Sequence, residues 1–164
     1  MAIVETLIEE ELSEIAEIRI DPINGTRSLW AMKPFKANEL IIEFIAKDVH
    51  STASRMTVQI SEDVHIILHP EALECANHSC DPNIFFDTTS MELVTLKPIH
   101  TGDELTFFYP SAEWNMASPF ECNCGAGNCI GQIRGAKYLD QKTVNRYRFT
   151  DFIKGKLANA GKWA

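Results

Sequence analysis

Across residues 3–17, apolar Ile3, Leu7, Ile8, Leu12 and Ile15 alternate with Glu9, Glu10, Glu11, Glu14 and Glu17. Steps of three and four residues place the apolar set on one side of an α-helix, so a helix is expected here with its glutamates in water. The stretch Glu14–Ile20 also alternates apolar and polar residues, and a strand beginning there is the alternative to a continuing helix.

From residue 18 the pattern changes to short apolar runs broken by turn residues. Leu40–Ile45, Met56–Ile60, His65–Leu68, Ile84–Phe86, Leu93–Leu96 and Leu105–Tyr109 are predicted strands. Two turns echo each other, Lys33-Pro-Phe-Lys-Ala-Asn-Glu-Leu40 and Lys97-Pro-Ile-His-Thr-Gly-Asp-Glu-Leu105. In each, proline removes a ladder donor while Asn38 or Gly102 tolerates the bend, so one strand ends and another is launched. Pro70-Glu-Ala-Leu73 reads as a short helical turn with proline at its start. Tyr138–Leu157 reads as a basic, mostly helical tail with Tyr147, Phe149 and Phe152 available for packing, and Gly161-Lys-Trp-Ala164 as a loose end.

A length of 164 residues with 45% hydrophobic content fits one domain with a core of its own. No apolar run approaches the roughly 20 residues that cross a bilayer, and the start lacks the basic-then-apolar plan of a signal peptide. An intracellular protein in a reducing compartment, without a membrane partner, is expected. The net charge of −8 argues against broad binding to a phosphate backbone. It suits a basic peptide partner, although charge of this kind serves solubility equally well.

The five cysteines are an odd number, and Cys122 and Cys124 sit too close along the chain for an easy mutual disulfide. Metal ligation is the better account. Cys122, Cys124 and Cys129 bracket Gly125 and Gly127, whose freedom lets the backbone curl until three thiolates converge. A fourth ligand is missing locally. Cys75 lies outside the pattern and is assigned to the core. His65 and His69 have the i,i+4 spacing that binds zinc on a helix, but they lie in strand-like sequence without an accompanying carboxylate motif. The basic residues Lys137, Lys142, Arg146, Arg148, Lys154 and Lys156 are read as a solvated helix face.

Asn77-His-Ser-Cys-Asp-Pro-Asn83, followed by Gly102-Asp-Glu-Leu-Thr-Phe-Phe-Tyr109 and then by Cys122-x-Cys124-x4-Cys129, resembles SET-domain protein lysine methyltransferases with a zinc-binding post-SET segment. The resemblance covers residues 18–135. It implies a mainly β fold of several small sheets with a pseudoknot, short helices and a C-terminal helix. The implied division is an N-terminal extension 1–17, a SET domain 18–118, a post-SET zinc segment 119–135 and a helical tail 136–164. It also implies that Cys80 is the fourth thiolate, joining Cys122, Cys124 and Cys129 around one structural Zn2+. S-adenosylmethionine would then lie against Asn77, His78, Asn123 and the stretch Arg27, Ser28 and Leu29. Tyr109 would align a substrate lysine beside Phe107, at a position where phenylalanine, lacking a hydroxyl, leaves room for di- or trimethyllysine.

This sequence departs from the family pattern in three places. The family's Gly-x-Gly turn corresponds to Thr26-Arg27-Ser28, which lacks both glycines, with Gly25 one residue earlier. Residues with a Cβ do not enter glycine-only backbone regions. Glu74-Cys75-Ala76 stands for Arg-Phe-x, and Phe108 for a common aspartate. The implied function is methylation of a lysine ε-amine in a protein or peptide, a histone tail being the family's commonest substrate class, with no direct nucleic-acid partner. A homodimer is one way for so small a domain to complete its binding groove. The alternatives are a catalytically weak SET-like binding module and methylation of a free amino acid or small amine.

Overall fold

In the computed structural model, which describes residues 2–163, the first apolar stripe forms helix α1 (Ala2–Ile15). Leu12 and Ile15 turn into the core, Glu9, Glu10, Glu11 and Glu14 face water, and Ile3 and Leu7 remain exposed. Strand β1 (Ala16–Ile20) begins at once, so the helix stops short of residue 17 and the alternation of Glu14–Ile20 prevails over its second half. All five β1 residues pair antiparallel with β2 (Arg27–Ala31). Asp21 closes the connection by accepting the N–H groups of Ile23 and Asn24, and Gly25 takes the left-handed conformation, φ 72°.

The expected strand at 40–45 is split into β3 (Leu40–Glu43) and β4 (Ile45–His50). The break is at Phe44, whose ring turns inward against Phe86 with centroids 5.7 Å apart. A hairpin follows, β5 (Thr57–Ser61) and β6 (Val64–His69), then β7 (Asn77–His78), β8 (Ile84–Asp87), β9 (Glu92–Thr95), β10 (Thr106–Phe107), β11 (Phe120–Glu121) and β12 (Gln132–Ile133). The sheets are small: β1-β2, β3-β9-β8, β4-β6-β5, β11-β12 and the parallel pair β7-β10. The architecture is therefore the mainly β arrangement of several small sheets expected from the sequence.

The two echoing turns meet. Phe35 and Ile99 exchange backbone hydrogen bonds at 2.9 and 3.0 Å. Asn38 and Gly102 both take positive φ, 57° and 87°. Each turn is closed by a carboxylate that accepts an N–H three residues earlier, Glu39 from Lys36 and Asp103 from His100. The second turn launches the segment 103–107, which runs between β2 and the 77–83 stretch. On one side Ala31 donates to Asp103 and Leu105 to Leu29; on the other Ser79 donates to Phe107 and Asn83 to Thr106. This crossing is the expected pseudoknot, and it brings β7 beside β10 from about thirty residues away.

Two buried clusters result. The larger joins the sheets through residues such as Leu29, Ile42, Ile84, Phe86, Leu93 and Leu105. The smaller is built by the tail around Phe108, with Val144, Phe149, Ile153 and Leu157. The tail is less helical than expected: a short turn at Ala136–Tyr138, then α2 (Gln141–Val144) and α3 (Asp151–Asn159). Asp140 caps α2 and Thr150 caps α3, and each side chain accepts an N–H from the first turn. One expectation for the tail is corrected. Trp163 is not loose, because its ring packs edge-on against Phe149 at 5.8 Å; Ala164 lies outside the described residues. The basic residues do lie at the surface, and two of them are also paired there, Arg148 with Asp87 at 2.9 Å and Lys156 with Glu62 at 2.8 Å, both on the sheet body.

Candidate functional site

Asn77 and His78 are held edge to edge with Thr106 and Phe107 by the β7-β10 pair. The Asn77 amide donates to the Arg27 carbonyl at 3.1 Å and to the Glu104 carboxylate at 3.0 Å, fastening β7 to the start of β2. With both amide protons engaged, its carbonyl oxygen is the group left to meet a ligand. Positions 26 and 28 need no glycine: positive φ falls at Gly25, not at Thr26 or Ser28, and Arg27–Ala31 is ordinary strand. Ser28 instead accepts the Trp30 indole N–H at 2.7 Å.

Tyr109 was expected to close the strand Leu105–Tyr109. The strand ends two residues earlier, and Tyr109 opens a 3-10 turn, Tyr109–Ser111, where Pro110 supplies no ladder donor. The Tyr109 ring sits in an aromatic surround: Phe107 at 4.6 Å, His78 at 5.2 Å and Phe120 at 5.9 Å between centroids. Its hydroxyl donates to the Ala76 carbonyl at 3.1 Å. Burial pushes the phenol up to about 12, so it stays protonated at neutral pH.

His78 links this surround to the cysteines. Its Nδ1 accepts the Tyr109 backbone N–H at 3.1 Å, and its Nε2 lies 3.4 Å from Cys80 Sγ. Burial lowers its pKa to about 4, which leaves the ring neutral, and the accepting Nδ1 puts the single proton on Nε2, facing the sulfur.

Cys80, Cys122, Cys124 and Cys129 converge, their sulfurs all within 4.8 Å of one another. The Cys80–Cys122 separation is 4.0 Å. A disulfide would need about 2.05 Å, whereas four thiolates about 2.3 Å from a tetrahedral zinc stand about 3.8 Å apart. Donor type, number and spacing thus fit one closed zinc site. Burial raises the Cys80 and Cys122 thiols, Cys122 to about 11. Cys124 is also penalised by burial, but hydrogen bonds from the Cys80 and Ala126 main chain and from neighbouring thiols bring it down to about 6. Cys75 lies in the core at 4% exposure, as assigned. His65 and His69 stand on extended β6, roughly 13 Å apart for four residues of strand, and His69 instead contacts the Glu5 carbonyl at 2.9 Å.

A cleft of about 390 Å³ opens beside His78, Ser79, Glu104, Thr106 and Cys124. Within β2, Leu29 is fully buried and Arg27, at its start, is exposed. Asn123 is exposed and lines a different cleft with Glu121, Ile130 and Gln132, whereas Cys124 reaches the one beside His78. Sequence reasoning missed Phe120, Glu104, Asn128 and the pairing of Phe108 with Tyr147. Phe120 alone carried a signal, as an aromatic two residues ahead of the first clustered cysteine.

A protein-family model described as the SET domain matches residues 26–110. Methyltransferase flvH of Aspergillus flavus is 40% identical over 104 residues, which cover 62% of this chain and 58% of that protein. Histone-lysine N-methyltransferase SETD1B of Xenopus laevis is 27% identical over 127 residues, covering 64% of this chain and 6% of that one. Among solved structures, the crystal structure of KRYPTONITE in complex with mCHG DNA and SAH shares the fold, with a TM-score of 0.56 and 22% identity, over 71% of this chain and 28% of that chain. This chain spans less than two thirds of the length of each of these relatives.

Proposed function

The chain belongs to the SET-domain family, and on that footing we propose that it transfers methyl groups from S-adenosylmethionine to the ε-amine of a lysine in a protein or peptide. The observation that carries this reading is the meeting, through His78, of three parts distant in sequence: the Asn77 strand, the Tyr109 turn and the cysteine cluster. S-adenosylmethionine, when bound, would supply a methyl group on a positive sulfonium, the neutral thioether being the group that leaves as the amine nitrogen bonds to the methyl carbon. Asn77, His78 and the main chain of Arg27–Leu29 would hold it.

A free lysine titrates near 10.4, and an ammonium has no lone pair with which to attack. On this reading an amine brought to the Tyr109 hydroxyl would meet the buried rings of Phe107 and Tyr109, with Phe120 half open to water at the rim, and the partial desolvation would favour its neutral form. Tyr109 is too weak an acid to serve as a base near neutrality. Its hydroxyl proton is committed to Ala76, so the oxygen accepts from the amine N–H and aims the nitrogen lone pair. The four cysteines would hold one Zn2+ whose closed coordination leaves no position for catalysis, so its part is to fold residues 119–135 into a lid over the site. On this reading residues 18–118 form the transferase unit and residues 136–163 brace it.

The test is incubation with labelled S-adenosylmethionine and a panel of histones, lysate proteins, free lysine and small amines. Label on protein lysine, lost in Tyr109→Phe, supports the proposal. Small amines belong in the panel because the 40% identical relative carries no protein acceptor in its name. Label confined to them would replace the protein lysine as substrate. Zinc-loaded protein that shows no S-adenosylhomocysteine binding by calorimetry would favour a binding module.

A further inference from the structure

Tyr147 stands where the smaller buried cluster meets the cysteines. Its ring lies flat on Phe108, with centroids 3.7 Å apart and planes 4° from parallel. Its hydroxyl donates to the Cys80 carbonyl at 2.7 Å. Asn128, inside the Cys124–Cys129 loop, donates to the same carbonyl at 2.8 Å and to the Tyr147 oxygen at 3.3 Å. One side chain from the tail therefore touches the neighbour of Tyr109, the main chain of Cys80 and the loop that carries the other thiols.

Filling space would require only the ring. The hydroxyl is partly withdrawn from water and committed to a carbonyl, an arrangement that costs free energy wherever the bond is not made. The carbonyl belongs to Cys80, which alone among the four thiols comes from outside the 119–135 segment. Fixing that peptide fixes where its sulfur stands relative to the other three. Phe108 completes the device: it is 2% exposed, a carboxylate at that position would be left without a partner, and only a planar apolar ring provides the face on which Tyr147 lies.

We propose that Tyr147 is a positioning residue that holds the cysteine cluster in register with the Tyr109 segment, so that the C-terminal tail acts as a clasp on the metal-folded lid. The proposal rests on reading the four cysteines as zinc ligands. It does not depend on methyl transfer.

The experiment uses the zinc-loaded full chain and follows zinc release to an excess of a chromophoric chelator, alongside thermal unfolding. Tyr147→Phe keeps the stack and removes only the hydroxyl. It is expected to release zinc about tenfold faster, as outer-shell changes at metal sites do, with the thermal midpoint of the sheet body within a few degrees of wild type. Tyr147→Leu, which also loses the stack, releases faster still and lowers the midpoint. In the cobalt-substituted protein, Tyr147→Phe shifts the visible ligand-field bands, a signature that loss of packing elsewhere does not produce. Wild-type release rates in both variants, or a wild-type protein that binds no zinc, would overturn the proposal. Absence of methyl transfer by zinc-loaded protein bears on the transferase reading alone, because release is measured without turnover.

Discussion

The Nε2 of His78 points at Sγ of Cys80 across 3.4 Å, while the other nitrogen of the same ring accepts the backbone N–H of Tyr109. A neutral imidazole offers one donor and one acceptor, and here both are used to join a sulfur to the turn that carries the phenol. Changes at either end should therefore be felt at the other.

His78→Ala removes both bonds. Zinc affinity is expected to fall about tenfold or more, measured by chelator competition, with a parallel loss of S-adenosylhomocysteine binding. Affinity unchanged for zinc would mean that the imidazole only fills space.

Tyr109→Phe deletes the hydroxyl that bonds Ala76 and leaves the ring among Phe107, His78 and Phe120. Single-turnover transfer should drop about a hundredfold, in line with the cost of a misaligned nucleophile, while calorimetric binding of S-adenosylhomocysteine is kept. Equal loss of both would reassign the residue to cofactor binding.

Phe107 packs against Phe86 at 4.7 Å and Tyr109 at 4.6 Å. On the proposed reading a hydroxyl added there would compete with a methylated amine for the space beside Tyr109. Mass spectrometry after exhaustive turnover should show di- or trimethyl product for wild type, and Phe107→Tyr should shift it towards monomethyl.

How far these residues could be read from the chain depended on how local their task is. Cys122, Cys124 and Cys129 announce themselves through short spacing around glycines, and Asn38 and Gly102 through the bends that they permit. Helix α1 was legible as an amphipathic stripe, but its end was not, because helical and alternating patterns overlap at Glu14–Ile20 and pairing with β2 decided between them. The stack of Phe108 on Tyr147 was not legible at all. It joins residues 39 positions apart in sequence, and each reads alone as an ordinary aromatic. Trp163 reads as a loose end because terminal residues usually are, and only the Phe149 face that receives it shows otherwise.

Gly135 takes φ 114° where the chain at 134–137 pairs with 113–116, and a Cβ there would stand 2.5 Å from the Trp114 carbonyl oxygen. That oxygen, the Trp114 carbonyl carbon at 2.8 Å and the Asn115 Cα at 3.1 Å are all backbone, so none can swing aside. Gly135→Ala should destabilise the protein by about 2–3 kcal/mol, measured by urea denaturation, and loosen the tail before the sheets.

Glu113 is half-buried and accepts the Gln59 N–H at 3.0 Å; burial pushes its carboxyl up to about 8. Its folded value lies above the ordinary carboxylate value of 4.5, so between those limits the folded state binds more proton than the unfolded chain. Stability from this group is full below about pH 4.5 and is lost as pH rises through about 8. Glu113→Gln keeps an acceptor for Gln59 and removes the titration. Denaturation midpoints measured at pH 5 and pH 8 should fall less with rising pH in the variant than in wild type.

The zinc content of reduced, methyl-transferring protein is the most direct measurement of whether the cysteine cluster, His78 and Tyr109 form one site. One equivalent per chain, lost together with S-adenosylhomocysteine binding in Cys80→Ser, is the result expected; active protein without zinc, or Cys80→Ser that keeps both the ion and the ligand, would contradict it.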